Sequence, residues 1–427
     1  MENRIESLRT FLDGAHSKYH AVAQITQMLE RAGYVYLAEN TPWELKAGGK
    51  YYLTRGGSAL MAFRIPATDP TGFIMSASHS DRPVFVVKEN GELTGKYTRL
   101  AAETYGSMII ATWLDRPLSI AGRVLIQTKE GIESRLVDID RDLCIIPNVA
   151  IHMNRKINEA CPWNPAVDTL ALLGSKRAEG KLEELLEKAA GGKIIGRDLN
   201  LYIRQKASVW GVDEEYFSSA AIDDLECAWC CTKGFLEANE SRAVPVLCIF
   251  DSEEVGSASA QGAASRLLDS VLNRICASLR LDLLQMLSQS FMVSADNGHA
   301  IHPNHPEYSD AANAPVLNGG VVLKFNAAQK YATDGLAAAV FRGICDRAKV
   351  PVQAYYNRAD LPGGGTLGRI SLGQVSVPTA DIGLPQLAMH SSYETAGVQD
   401  VEYLTNAMKE YYGFSLKCAT DGEYAIY

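Results

Sequence analysis

Apolar and polar positions divide the chain into three textures. Residues 4–32 carry apolar side chains at helical spacing, among them Ile5, Leu8, Leu12, Val22, Ile25 and Leu29, and stop at Gly33. That pattern predicts one amphipathic helix. Strand-like runs follow at 51–54, 60–64 and 72–77, with Gly48-Gly49 and Gly56-Gly57 as turns. The third run is almost wholly apolar or small, as in a strand buried on both faces. From about residue 88 to 209 the chain reads as mostly β, with a hairpin around Lys129-Glu130-Gly131 and one charged helix at 174–191. Beyond it, helical stretches at 215–238, 257–288, 334–348 and 401–416 alternate with strand runs at 243–250, 291–295, 350–356 and 374–381. Such alternation predicts an α/β fold with a mostly parallel sheet covered by helices on both faces. The expected organisation is one domain from residues 1–87 and 210–427, with a β-rich domain at 88–209 inserted into it.

Composition narrows the partners. Against 50 Asp+Glu there are 41 Lys+Arg, a net charge of −9, which speaks against nucleic acid and anionic membrane as partners. No apolar run reaches the length of a membrane-spanning helix. The first twenty residues mix acids among the apolar positions and lack the apolar core of a signal peptide. The nine cysteines are scattered through apolar stretches, which points to reduced thiols and a cytoplasmic protein. Cys227, Cys230 and Cys231 read as part of a buried helix, because no second cysteine or histidine pair follows at zinc-binding spacing.

The candidate chemistry lies where elements end. His79 and Asp81 follow the run 72–77, Glu253-Glu254 follow 243–250, and Asp296 follows 291–295. Asp223-Asp224 head a helix, and His390 stands near the end of the chain. In open α/β sheets, ligand sites lie beyond the carboxyl ends of the strands. Mixed histidine and carboxylate ligands suit zinc or a similar divalent ion. Two ions about 3.5–4 Å apart need one bridging carboxylate and roughly two further ligands each. His79, Asp223, Glu254, Asp296 and His390 supply five. An adjacent Glu-Glu pair leaves one carboxylate free to act as general base, and Asp81 can fix the second ring nitrogen of His79. His299, His302 and His305, with Pro303 among them, do not share one regular helix face and are not read as a separate cluster. The residues alone therefore point to a metal hydrolase.

Nearly end to end, the chain resembles the aspartyl aminopeptidases. The resemblance is carried by YHAV, GGKYYLTRGGS, HSDRP, ETYGSMIIATWLDRPLSIAGRV, IIPNVAIHMNR, AIDDL, FDSEEVGS, SADNGHAIHPNHPE, NGGVVLKFNAAQKYATD, GGGTLG and DIGLPQLAMHSSYE. It implies a cytosolic two-zinc peptidase, with Co2+ or Mn2+ as substitutes. It assigns His79 and Asp296 to one zinc, Glu254 and His390 to the other, and Asp223 to both. Glu253 becomes the general base and acid, and Asp81 the residue that orients His79. The inserted domain is implied to mediate dimerisation within a tetrahedral shell of twelve subunits, with His152 reaching a neighbour's active site. Lys324 falls in the substrate region.

Three departures stand out: Arg82 where the family has serine, Asp224 where it has asparagine, and GGGT at 363–366 where it has CGST. None removes a metal ligand. Lys324 and Arg82 are the candidate cations for an acidic substrate side chain, and Asp224 or Glu394 the candidate partner of its α-amino group. The expected activity is removal of N-terminal Asp or Glu from peptides. The alternatives are an aminopeptidase of broad or neutral preference, and a catalytically dead shell-forming protein. The insertion is not expected to complete the metal site of its own chain.

Overall fold

The computed structural model describes residues 3–361, 363–420 and 423–426. At its centre the strands Val244–Phe250, Phe73–His79, Phe291–Ala295 and Thr379–Gly383 lie side by side and parallel. The first three are buried along their whole length, as the near-continuous apolar runs require. Ala59–Arg64 and Lys50–Arg55 extend this sheet antiparallel on one side, and Val35–Tyr36 forms its edge. Val321–Phe325 joins the other side antiparallel, followed by Val352–Tyr356 in parallel, to make nine strands.

Successive side chains of a strand point to opposite faces, and the two cores divide accordingly. Leu247 and Ile249 pack with the helices Arg4–Gly14, Lys18–Arg31, Ile222–Glu237, Gly335–Ala348 and Val398–Gly413. Val246, Cys248 and Phe250 pack with Leu267–Leu279 and neighbouring residues on the other face. Cys227, Cys230 and Cys231 all lie in the first core, as expected.

The inserted region forms its own antiparallel sheet, in the order Ile132–Asp138, Leu118–Gln127, Ile194–Ile203, Val84–Thr94, Tyr97–Tyr105, Ala171–Ser175, with helix Lys181–Ala190 on its core. This sheet begins at Val84, ahead of the boundary expected at residue 88. A third sheet of five short strands includes Tyr216–Ser219, Glu394–Gly397 and Gly298–His299.

Several element boundaries differ from expectation for identifiable reasons. The stretch 4–32 is two helices, because the Ser17 side chain accepts the His20 N–H and starts a new one. Tyr216–Ser219 pairs with Glu394–Gly397, so the helix expected from 215 begins at Ile222. Gly180 and Gly191, both at left-handed φ, shorten the charged helix to Lys181–Ala190. The strand expected at 374–381 starts at Thr379, just after Pro378, which has no N–H to give a ladder. No helix among the described residues is long and apolar enough to cross a membrane.

Candidate metal centre

Parallel strands bring the expected chemistry to one edge. His79 is in register with Phe250, so the chain segment after each strand emerges side by side. Asp296 follows the neighbouring strand Phe291–Ala295, and Asp223 stands at the head of helix Ile222–Glu237 beneath them. His79 Nε2 lies 3.5 Å from Asp223 Oδ1, and His390 Nε2 lies 3.6 Å from Asp223 Oδ2 and 3.4 Å from Glu254 Oε2. Asp223 thus stands between two imidazoles. The side chains of His79, Asp223 and Glu254 offer ligand atoms within 4.8 Å of one another, and so do those of Asp223, Asp224 and Asp296.

The donors fit divalent cations. Asp223 Oδ1, Asp224 Oδ1 and Glu254 Oε1 are buried and have no hydrogen-bond partner. A buried acceptor left without a donor costs about 1–3 kcal/mol, more when charged. A cation removes that cost for several of them at once. The mixed imidazole and carboxylate set suits zinc.

Titration behaviour reports the same crowding. Burial pushes Glu253 up to about 7 and Asp296 up to about 6, against partial relief from His79 and Lys324 respectively. Burial also lifts Glu254 well above the ordinary carboxylate range. Burial pulls His390 down, but hydrogen bonding to Asp223 and the charge of Glu254 outweigh it and hold the imidazole at about 9. Burial would raise Asp223, yet the imidazoles of His390 and His79 beside it hold its carboxyl below the ordinary carboxylate range.

A set of buried contacts holds these side chains. His79 Nδ1 is 3.1 Å from the Asp81 carbonyl and 3.5 Å from Asp81 Oδ1. The Asp81 carboxylate accepts the backbone N–H groups of Glu253 at 3.1 Å and Glu254 at 3.2 Å. Asp224 Oδ2 accepts the His79 N–H at 3.1 Å. Glu394 accepts the N–H groups of Asp223 and His390. Both Asp224 and Glu394 therefore serve the backbone of the metal set, and neither lines the adjoining cavity, where an anchor for a substrate amine was expected.

That cavity, of about 290 Å³, is lined by Glu253, Glu254, Asp296 and His390 and also by Lys324, His299, Tyr331 and Tyr355. Lys324 is 2 % exposed, and its ammonium donates to the Asn297 carbonyl at 2.8 Å and lies 4.0 Å from Asp296 Oδ1. Arg82 is absent from this lining. Its two terminal nitrogens donate to the carbonyls of Ala15 and His16, each at 2.9 Å. Ala15 caps helix Arg4–Gly14, and a cation at the carboxyl end of a helix is favourable, so Arg82 turns away from the substrate side. His302 and His305 are exposed and stand apart from the metal set, and His152 lies exposed in the inserted region.

The insertion supplies none of these candidate ligands, yet it touches the site of its own chain. Tyr105 donates its hydroxyl to Asp81 Oδ2 at 2.6 Å. Gly106 sits at φ 72°, and a Cβ there would lie 3.1 Å from the Glu254 Cβ. The Ile109 N–H donates to the His390 carbonyl, and Thr112 bonds Ser392. The segment ETYGSMIIATW carried these residues, but nothing in its pattern announces a contact with residues hundreds of positions away.

Residues 11–412 match the family model described as aminopeptidase I zinc metalloprotease (M18). A probable M18 family aminopeptidase 2 of Clostridium novyi is 40% identical, covering 96% of this chain and 100% of the relative. One from Pseudomonas aeruginosa strain PAO1 is 37% identical over 96% and 98% respectively. Among solved structures, the cryo-EM structure of the Ape4 and Nbr1 complex superposes with a TM-score of 0.93 at 31% identity, covering 96% of this chain and 85% of that one. The S. cerevisiae mApe1 dodecamer gives 0.85 at 26% identity, with 95% of each chain covered. The chain belongs to the M18 family of zinc metalloprotease aminopeptidases.

Proposed function

We propose that this aminopeptidase removes N-terminal Asp or Glu from peptides and holds two zinc ions per subunit. His79 and Asp296 would hold one ion, Glu254 and His390 the other, and Asp223 both. When bound, the pair supplies positive charge that polarises a scissile carbonyl and activates water. Glu253 takes the proton of the attacking water and delivers it to the leaving amine. Its carboxyl lines the cavity beside Asp296 and Glu254, within reach of a substrate there. Asp81 keeps His79 and the 253–254 turn in place.

One observation carries the acidic preference: Lys324 is the only lysine or arginine among the described residues lining the cavity, and it is buried there. A desolvated ammonium favours a carboxylate and repels a substrate Lys or Arg. A second reading, neutral or broad preference, draws on the same lysine, since Asn297 and Asp296 already hold its charge. Catalytic efficiency on Asp-, Leu- and Lys-terminal peptides, in the parent and in Lys324→Met, separates the two. The acidic reading expects a parent Asp/Leu ratio well above one and a fall of about 10-fold or more in the variant. A parent ratio at or below one establishes the neutral reading.

We also propose self-association through the inserted sheet into dimers and a tetrahedral dodecamer, with His152 completing a neighbour's site. His152 sits beside exposed Ile151 and Met153, the latter 82% exposed, and the mApe1 relative is itself a dodecamer. Nine unpaired cysteines favour the cytosol as its compartment.

A further inference from the structure

Asp81 is a crowded acceptor. Besides His79 it takes the N–H groups of Glu253 and Glu254, and its shortest bond, at 2.6 Å, comes from the Tyr105 hydroxyl. Tyr105 ends the strand Tyr97–Tyr105 of the inserted sheet. Glu253 and Glu254 stand on a turn whose flanking residues are unfavourable on their own. Ser252 and Ser257 take φ values of 66° and 60°, the left-handed region that non-glycine residues disfavour. Such a turn persists only where its surroundings over-determine it. Besides bonds within residues 251–264, such as Ser259 Oγ to Ser252 Oγ, two carboxylates tie it to the rest of the chain: Asp81, and Asp251, which accepts from Lys18 and Ser58.

Tyr105 meets both ties. Lys18 lies over its ring at 5.4 Å while pairing with Asp251 at 2.8 Å. The next residue, Gly106, is pressed against Glu254 so closely that an added methyl would contact it.

We infer that Tyr105 is a positioning residue for the peptidase reaction: its hydroxyl, delivered from the inserted sheet, pins the Asp81 carboxylate that sets the Glu253–Glu254 turn. The inference rests on the proposed role of Glu253 as base. Removing the hydroxyl leaves Asp81 Oδ2 with the Glu254 N–H and frees the carboxylate to rotate. Glu253 then samples positions away from the water it must deprotonate, whereas Lys324, the cation lining the substrate cavity, stays held by the Asn297 carbonyl. The insertion therefore serves the chemistry within its own chain, separately from any contact between subunits.

The test uses the intact, zinc-loaded enzyme with Y105F, which keeps the ring over Lys18. Y52F is the control, since Tyr52 donates a hydroxyl to Glu30 at 2.7 Å, on a different carboxylate. On the better of an Asp- and a Leu-terminal dipeptide amide, Y105F should lower kcat about 10-fold or more, as a small misplacement of a reacting group does. KM, zinc content and assembled mass should match the parent, and Y52F should leave kcat unchanged. On an E253Q background, Y105F should cost little further, because two residues acting through one group are not additive. Parental kcat in Y105F beside an inactive E253Q overturns the inference alone, as does loss of zinc or a full additional loss in the double variant. Full activity in E253Q overturns the base assignment itself, and the inference with it.

Discussion

Glu394 bridges the backbones of Asp223 and His390: one carboxylate oxygen accepts the Asp223 N–H at 3.0 Å, the other the His390 N–H at 2.8 Å. Two candidate ligands far apart in sequence are thus set by one buried group. Glu394→Ala should lower zinc affinity or turnover by about 10–100-fold, the usual effect of losing a group that orients metal ligands. Zinc titration by a competing chelator, read beside kcat, checks this. Parental zinc affinity and turnover in the variant would reduce Glu394 to a structural contact.

Asp223→Ala should abolish activity and release the bound zinc, since the Asp223 carboxylate stands between the two imidazoles. Metal analysis of the purified variant is the measurement. Two retained ions with near-parental turnover would show that the bridging ligand is another residue.

The adjacent glutamates should separate cleanly. Glu253→Gln should lower kcat by about 100-fold or more, the scale of a general base, with metal content unchanged. Glu254→Ala should instead lose one ion, because Glu254 lies 3.4 Å from His390 Nε2. The opposite pattern would exchange their roles.

Arg82 separates a packing role from a substrate role. With its guanidinium bonded to the carbonyls of Ala15 and His16, Arg82→Ser should cost about 1–3 kcal/mol of stability by stranding two acceptors. The Asp/Leu ratio of catalytic efficiency should stay at the parental value. Thermal unfolding and steady-state kinetics measure both, and a changed ratio at unchanged stability would return Arg82 to the substrate site.

His152 gives an intersubunit test. His152→Ala should be poorly active with its zinc intact. Mixed assemblies of H152A and E253Q subunits should regain activity, because each supplies what the other lacks. Mixtures as inactive as their components would confine His152 to its own chain.

The strand ends were legible because a metal site needs acids and histidines where a buried apolar run stops, and HSD after 72–77 and DSEE after 243–250 announce that in the linear chain. The architecture followed from strand and helix alternation for a similar reason. Arg82 was misleading because its sequence neighbours are site residues while its side chain answers to the end of a helix 66 residues earlier. Tyr105 was invisible in that role because a tyrosine closing an amphipathic strand has the same pattern whether its hydroxyl meets water or Asp81. The strand at 216–219 was hidden because its partner lies at 394–397, beyond the reach of any local periodicity.

The central sheet also sets an order of events during synthesis. Phe73–His79 finds its neighbours only in Val244–Phe250 and Phe291–Ala295, far downstream, whereas the sheet built from residues 84–203 pairs wholly within itself. At about 5–20 residues per second, the nascent chain carries an unpaired apolar strand for on the order of ten seconds or more before either neighbour appears. The inserted sheet can close in that interval. During that interval the strand Phe73–His79 is an apolar surface without its sheet neighbours, and slowing translation between 80 and 295 would lengthen its exposure.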